Sequence, residues 1–176
     1  MLRTHVAGLA LAFLAALPFT APAGAAGDEA FFNQVYGKWS GPGEIVAGKY
    51  KGTKFTCDFA GLQQQASVGV DLDGACRVGL FSQPMRAAVI RSGSGYKGAF
   101  QDGAAGKGLD IVSGAVEGDK IVVGLDRKQL KGAMVARITK EDTLAITVSV
   151  RVAGELVPVI GMNLKRTEGR RSAAAE

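Results

Sequence analysis

Few residues in this sequence are of the types that carry catalytic or metal chemistry. The chain has one histidine, His5, and two cysteines, Cys57 and Cys76. We expect His5 to be removed with the segment that contains it, which leaves a working protein without an imidazole group. That excludes zinc or haem held by histidine, and it excludes a serine or cysteine nucleophile activated by histidine.

The two cysteines are predicted to form a disulfide bond, because a cysteine pair in an exported chain is usually oxidised. A bridge between Cys57 and Cys76 closes a short loop and would stabilise the fold by about 3 kcal/mol. The alternative is a soft metal bound by two free thiols. Such a site needs further ligands, and the chain offers no second cysteine pair.

Carboxylates are the remaining reactive groups, and their spacing does not pair them. Asp58 and Asp102 are candidates for acid-base work, yet nothing in the sequence brings any two acids together. Asp71-Leu-Asp-Gly74 resembles the start of a calcium loop, but Cys76 stands where a third ligand belongs, so a hairpin turn is the better interpretation. The segment 103–108 lacks the hydroxyl residue of a phosphate-binding loop. We therefore predict a protein that is not an enzyme and has neither cofactor nor metal.

The first 26 residues have the order of a secretory signal peptide. Arg3 precedes an apolar run from Val6 to Leu17, Pro18 ends that run, and small residues follow. A membrane-spanning helix needs about 20 apolar residues, so this run is too short for an anchor. We predict cleavage near Ala25 or Ala26, export to the periplasm, and a mature chain without a transmembrane segment.

Charge and aromatic placement argue against a nucleic-acid partner. The formal net charge is +5 at pH 7, and only the tail, with Lys165-Arg166 and Arg170-Arg171, is densely basic. Proteins that bind single strands place aromatic and basic residues together on one face. Here the aromatic residues mostly fall at the apolar positions of predicted strands. We expect the partner to be a small hydrophobic ligand or an envelope protein.

The elements that must position these residues are predicted to be strands. In the segment 144–152 large apolar residues alternate with small or polar ones, which is typical of a strand with one buried face. Turn signals such as Asp73-Gly74 and Ser92-Gly-Ser-Gly95 separate further segments of this kind. A short helical turn is favoured only at 28–36. The segments with strand character are 39–46, 54–60, 67–72, 75–81, 86–91, 96–101, 109–116, 120–126, 125–130, 131–139, 144–152 and 156–166.

These segments predict an all-β fold: one antiparallel meander of eight to ten strands that closes into a barrel. Pro158 cannot donate a ladder hydrogen bond, so it places an edge or a bulge in the last strand. We assign 1–26 to the signal peptide, 27–166 to the barrel domain and 167–176 to a flexible basic, alanine-rich tail.

Gly37-Lys38-Trp39 opens the first strand, and Arg166 closes the last one. This pattern resembles that of the calycins, the lipocalin-like barrels, in which a basic residue of the last strand covers the tryptophan of a G-x-W motif. The resemblance implies a lipocalin-like barrel closed by Gly37, Trp39 and Arg166. A pocket in such a barrel would be lined from the apolar positions of the front strands, for which Phe55, Phe59, Tyr96 and Phe100 are the candidates.

A second resemblance is to the small exported barrels that inhibit enzymes, such as the bacterial metalloprotease inhibitors. The order of Trp39, Cys57 and Cys76 matches theirs. Two functions therefore stay open. The first is an exported, non-enzymatic barrel that binds a small apolar or amphipathic envelope molecule or serves a structural role in the envelope. The second is an inhibitor of a protease- or lysozyme-type enzyme, or a protein-binding module, that presents a loop or the arm 28–36.

Overall fold

The structure, a computed structural model, describes residues 23–101, 109–128, 130–139 and 142–168. It contains one helix and ten strands. The helix is α1 (Ala23–Val35), and the strands are β1 (Gly37–Ile45), β2 (Lys54–Gln63), β3 (Gly69–Val78), β4 (Phe81–Ser92), β5 (Gly95–Gln101), β6 (Leu109–Glu117), β7 (Lys120–Arg127), β8 (Leu130–Thr139), β9 (Thr143–Val152) and β10 (Glu155–Glu168).

Each strand pairs antiparallel with the next strand along the chain, and β10 pairs with β1 to close the barrel. This confirms the predicted all-β meander at the upper end of the predicted strand number. Closure leaves the barrel without an edge strand, so every strand has a backbone partner on both sides.

Alternation along the strands decides which side chains point into the barrel. In β7 Ile121, Val123 and Leu125 are buried, and in β9 Leu144 and Ile146 are buried, while their neighbours are more exposed. Because side chains alternate between the two faces of a strand, this pattern assigns the apolar face to the interior. The core is therefore the inside of the barrel.

Two sequence-based boundaries were wrong. Asp73-Gly74 is no turn: β3 runs through it, Asp73 lies opposite Arg86 of β4, and the chain reverses at Gly79, which has a φ of 57°. The segment 125–130 is no strand of its own, because β7 ends at Arg127 and Lys128 turns with a φ of 54°.

The ladder between β9 and β10 shifts register between Pro158 and Ile160, which confirms the irregularity expected at this proline. The helix is longer than the turn predicted at 28–36, and β10 continues through 167–168. Most of the predicted signal peptide, Asp102, the segment 103–108 and the end of the tail lie outside the described residues.

The barrel has two unlike ends. Helix α1 packs against β2, β3 and β6 at the end where β1 begins, and we call this the closed end. The β1–β2 connection (46–53), the β3–β4 turn and the β9–β10 turn lie at the opposite end, which we call the open end. No helix in the described part of the chain is long and apolar enough to cross a bilayer.

Candidate functional site

A cavity of about 460 Å³ lies inside the barrel, and every one of the ten strands contributes at least one side chain to its wall. Phe31, Phe32 and Val35 of α1 form its floor at the closed end. Because side chains alternate along each strand, the apolar face of every strand points into this space. The side chains of the wall do not fill it. Ligand pockets of proteins commonly have volumes of about 300–1,000 Å³, and this cavity lies within that range.

The cavity wall is almost entirely hydrocarbon. Its polar members among the described residues are Ser82, Gln83 and Arg86, all from β4. Arg86 is largely exposed and its Nε donates a hydrogen bond to a carboxylate oxygen of Asp73 at 3.1 Å. A wall of this composition favours an apolar guest, because an unpaired polar group moved into it would lose its hydrogen bonds to water.

Three of the four aromatic residues proposed for the pocket lie on its wall: Phe55, Phe59 and Phe100. Tyr96 does not, and that placement was wrong. Its ring packs on Phe32 with centroids 5.3 Å apart, and it is only 2% exposed. Since its hydroxyl must be paired when buried, it turns toward a carboxylate at the closed end instead of the cavity.

That carboxylate is Asp28 of α1, which ties the helix to the barrel. Its Oδ2 accepts a hydrogen bond from the Tyr96 hydroxyl at 2.7 Å and from Nη2 of Arg91 at 2.6 Å. Both members of the ion pair are mostly buried, which makes the contact stronger than an exposed pair. Burial, together with the hydrogen bond to Asp28, raises the pKa of Tyr96.

The three residues proposed to close the barrel meet at the same end. The guanidinium of Arg166 lies 4.1 Å from the ring centroid of Trp39, which is 1% exposed and donates its Nε1–H to the carbonyl of Val35 at 2.7 Å. Gly37 has a φ of 113°, and a Cβ there would come within 2.8 Å of Arg166 Nη1. Glycine is needed at this position for its conformation and for the close approach of the arginine.

Arg166 also caps the end of α1. Its Nη2 donates to the carbonyl of Gln34 and its Nη1 to the carbonyl of Tyr36, both at 2.6 Å, and its Nε donates to Asp142 at 2.8 Å. The last carbonyls of a helix have no partner within the helix. The guanidinium of Arg166 therefore covers the tryptophan ring and also pairs with the free carbonyls at the end of the helix.

Cys57 and Cys76 form the predicted disulfide. They are directly opposed in the β2–β3 ladder, and both point into the barrel. Cys57 is fully buried with its sulfur 3.8 Å from that of Met162, whereas Cys76 lies on the cavity wall. The disulfide is therefore part of the apolar lining and also fixes the register of the two strands that carry it.

The described carboxylates considered for catalysis or calcium, Asp58, Asp71 and Asp73, lie on the outer face of β2 and β3. Asp58 accepts a hydrogen bond from Ser40 and forms an ion pair with Arg77, while Asp71 accepts one from Gln64. Among the described residues no three metal-ligating side chains converge. Asp71 and Asp73 instead belong to the ladder between β3 and β4.

Sequence reasoning missed much of the cavity. It selected aromatic residues, whereas the aliphatic side chains of β7, β8 and β9 form a large part of the wall. Their alternation was a usable signal. The floor supplied by Phe31 and Phe32 had no such signal, because nothing in the sequence tells which way a short helix turns its apolar side.

Fold and cavity together define the class of molecule: a closed, ten-stranded antiparallel barrel with an apolar interior. No protein-family model matches the chain, and no curated protein matches it. Among solved structures it is similar to the crystal structure of Rv2717c from M. tuberculosis, with a TM-score of 0.60 and 14% sequence identity. That match covers 77% of this chain and 94% of the other. At this identity the likeness shows the fold alone.

Proposed function

We propose that this protein is a non-enzymatic binding protein that takes a small apolar or amphipathic molecule into its barrel. The observation that carries the proposal is the cavity of about 460 Å³ with an apolar wall built from all ten strands. A small barrel can be filled by its own side chains. Unfilled apolar space lowers stability, because the lining side chains lose packing contacts, and a ligand restores those contacts.

The position of the few polar groups favours an amphipathic ligand. Ser82, Gln83 and Arg86 are exposed members of the wall toward the open end of β4, whereas the closed end is sealed by phenyl rings. A ligand oriented by this gradient has its hydrocarbon part toward α1 and its polar part toward the solvent.

The described lining also offers little for catalysis. Arg86 is its single ionisable side chain among the described residues, and the arginine side chain stays protonated near neutral pH, so it cannot accept a proton. General acid-base or nucleophilic chemistry needs a group that does. This supports binding over turnover.

We infer that the protein works in the periplasm and belongs with the lipocalin-like barrels. The signal-peptide pattern of residues 1–26 and the internal disulfide support export, because oxidised cysteine pairs persist outside the cytosol. The stacking of Arg166 on Trp39 supports the lipocalin-like assignment.

The alternative of an inhibitor that presents the arm 28–36 has less support. Phe31, Phe32 and Val35 are at most 4% exposed and face the barrel. An arm whose apolar side chains are already buried has little left to offer a partner enzyme.

The decisive experiment is native mass spectrometry of the protein purified from its own compartment, compared with two tryptophan variants of β4. Ala87 is buried on the cavity wall, while the adjacent Ala88 points to the outer face and does not line the cavity. We expect a co-purified small mass in the wild type and in Ala88→Trp, and its loss in Ala87→Trp, whose indole occupies the cavity.

Folding of each variant is checked by circular dichroism. If Ala87→Trp does not fold, Ala136→Phe blocks the cavity from β8 instead. A wild-type protein that is free of ligand after gentle purification, and that takes up no apolar probe, would contradict the proposal.

A further inference from the structure

The open end of the barrel exposes an unusual amount of hydrocarbon. Most of the large hydrophobic side chains that are exposed in the described residues lie there, although water favours burial of such groups. We call this set the open-end rim: Val46, Tyr50, Val78, Leu80, Phe81, Leu130, Val152 and Leu156. The other exposed large hydrophobics are Leu62, Ile90 and Val112.

The rim projects furthest at the β3–β4 turn. Leu80 is 102% exposed and Phe81 is 83% exposed. Gly79, with its φ of 57°, forms the turn with Leu80, and Phe81 begins β4 at the mouth of the cavity, whose wall it also lines. Two large exposed hydrophobic side chains in succession at a hairpin tip favour contact with an apolar partner.

The neighbouring hairpin adds positive charge to this hydrocarbon. Because β2 pairs with β3, the β1–β2 connection lies beside the β3–β4 turn. It presents Lys49-Tyr50-Lys51, with Tyr50 63% exposed and the Lys49 Nζ 5.5 Å from its ring centroid. No ion pair involves either lysine within the described part of the chain.

Basic side chains outnumber acidic ones at this end among the described residues. The acidic residues there are Glu44, Asp58, Asp73, Asp110, Asp126 and Glu155, of which Asp58, Asp73 and Asp126 are paired with Arg77, Arg86 and Lys131. The basic residues there are Lys49, Lys51, Lys54, Arg77, Arg86, Arg127, Lys128, Lys131 and Arg151.

We propose that the open-end rim docks on the surface of a bilayer that contains anionic lipids. Tyr50, Leu80 and Phe81 enter the interfacial region, and the lysines that flank Tyr50 contact the lipid headgroups. Aromatic residues beside lysine are typical of membrane interfaces. The cores of protein–protein interfaces, in contrast, are depleted in lysine.

The test is flotation with vesicles of phosphatidylcholine and phosphatidylglycerol, compared with vesicles of phosphatidylcholine alone. We expect the wild type to bind the anionic vesicles and to dissociate as salt increases, since exposed charges are screened. Lys49→Glu combined with Lys51→Glu lowers the partition coefficient by at least about 25-fold, given the effect of each basic residue near an anionic surface. Leu80→Ser combined with Phe81→Ser removes the hydrocarbon and lowers it as well.

Matched controls lie toward the closed end of the barrel wall. Leu62 of β2 and Lys97 of β5 are exposed there, so Leu62→Ser combined with Lys97→Glu leaves binding unchanged. The cavity variant Ala87→Trp also binds vesicles normally, which separates this proposal from the proposed ligand function.

Three results would overturn the docking surface. One is a wild type that stays off anionic vesicles at low salt, whether or not it forms a complex with an envelope protein. Another is equal binding to neutral vesicles. The third is a control variant that loses as much binding as the rim variants do.

Discussion

At the scale of single residues, Arg166 holds the closed end together. Its side chain is only 6% exposed, covers Trp39 and donates to two carbonyls near the end of α1. Any flat or cationic side chain could stack on the indole of Trp39, and any hydrogen-bond donor could pair with the carbonyls at the end of α1. The planar fork of arginine does both in one position, which a lysine ammonium cannot do.

We therefore expect Arg166→Ala to lower the free energy of unfolding by about 3 kcal/mol, because it leaves two partly buried carbonyls unpaired and uncovers the indole. Arg166→Lys recovers only part of that loss. Trp39 is the single tryptophan, so its emission in urea reports this site directly. As a control, Arg137→Ala breaks an exposed ion pair with Asp119 and costs at most about 1 kcal/mol. Equal losses in the two alanine variants would contradict the role of Arg166.

Tyr96 makes the stability of the closed end depend on pH. Burial first, and then the hydrogen bond to Asp28, raise its pKa above the value of a free tyrosine. The phenol of the unfolded chain ionises at about pH 10, while that of the folded chain stays protonated to higher pH. The stabilisation is therefore complete below that value and is lost as the pH rises above it.

We expect Tyr96→Phe to be less stable than the wild type at neutral pH by about 1–2 kcal/mol, because Asp28 loses a donor. Above about pH 10 its free energy of unfolding falls less steeply than that of the wild type. Burial also raises the pKa of Tyr36, so Tyr36→Phe flattens the alkaline slope in the same direction. Urea unfolding between neutral and alkaline pH measures both effects. Parallel slopes for wild type and Tyr96→Phe would refute this assignment.

At the scale of elements, several glycines lie where two strands come too close for a side chain. A Cβ built on Gly98 of β5 would meet the carbonyl oxygen of Ala88 in β4, which is backbone and cannot rotate away. At Gly161 of β10 the same construction meets nothing within 4 Å. Both positions lie in strands and neither has a positive φ. They therefore differ in the space that is available for a side chain.

Gly98→Ala should therefore destabilise the barrel by about 1–3 kcal/mol, because the β4–β5 ladder must shift. Gly161→Ala should change the free energy of unfolding by less than about 1 kcal/mol, since alanine there also restricts the unfolded chain. Thermal unfolding followed by circular dichroism compares the two. A tolerated Gly98→Ala would mean that the strands can separate without cost.

The sequence could predict strands where the pattern of burial is regular. Alternation placed β9 to within one residue of its observed start, because one face of that strand is apolar throughout. It failed at β3 because Asp73-Gly74 has the composition of a turn, although the glycine is there for close contact with Asp58 and Phe59 of β2. The observed turn contains Leu80, and a large apolar residue at this position favours a strand in the sequence pattern.

At the scale of the whole molecule, the contacts that stabilise the fold and the features on which both proposals rest lie at opposite ends. The closed end contains the partly buried ion pair, the arginine stack and the helix floor, while the open end carries the polar wall positions and the exposed rim. The sequence predicted part of the closed end, namely the residues Gly37, Trp39 and Arg166 that meet there. The cavity could not be predicted from the sequence, because its width is the distance across the closed barrel. That distance is set by all ten strands together and not by any single segment.

An apolar cavity of limited size makes a quantitative prediction about ligand length. A ligand that binds only the folded state stabilises it by about 2.7 kcal/mol at a free concentration of 100 times its Kd. Each additional CH₂ group buried on the wall contributes about 0.8 kcal/mol, which is roughly a fourfold gain in affinity. For saturated fatty acids tested in order of chain length, the melting temperature at one fixed concentration should rise with each carbon and then stop rising when the cavity is full. In Ala87→Trp, whose indole occupies the cavity, none of the acids should raise the melting temperature, and in Ala88→Trp the plateau should stay where the wild type has it. A wild-type melting temperature that responds to none of the acids would contradict binding in the cavity, and one that keeps rising beyond any length the cavity can hold would place the binding elsewhere on the molecule.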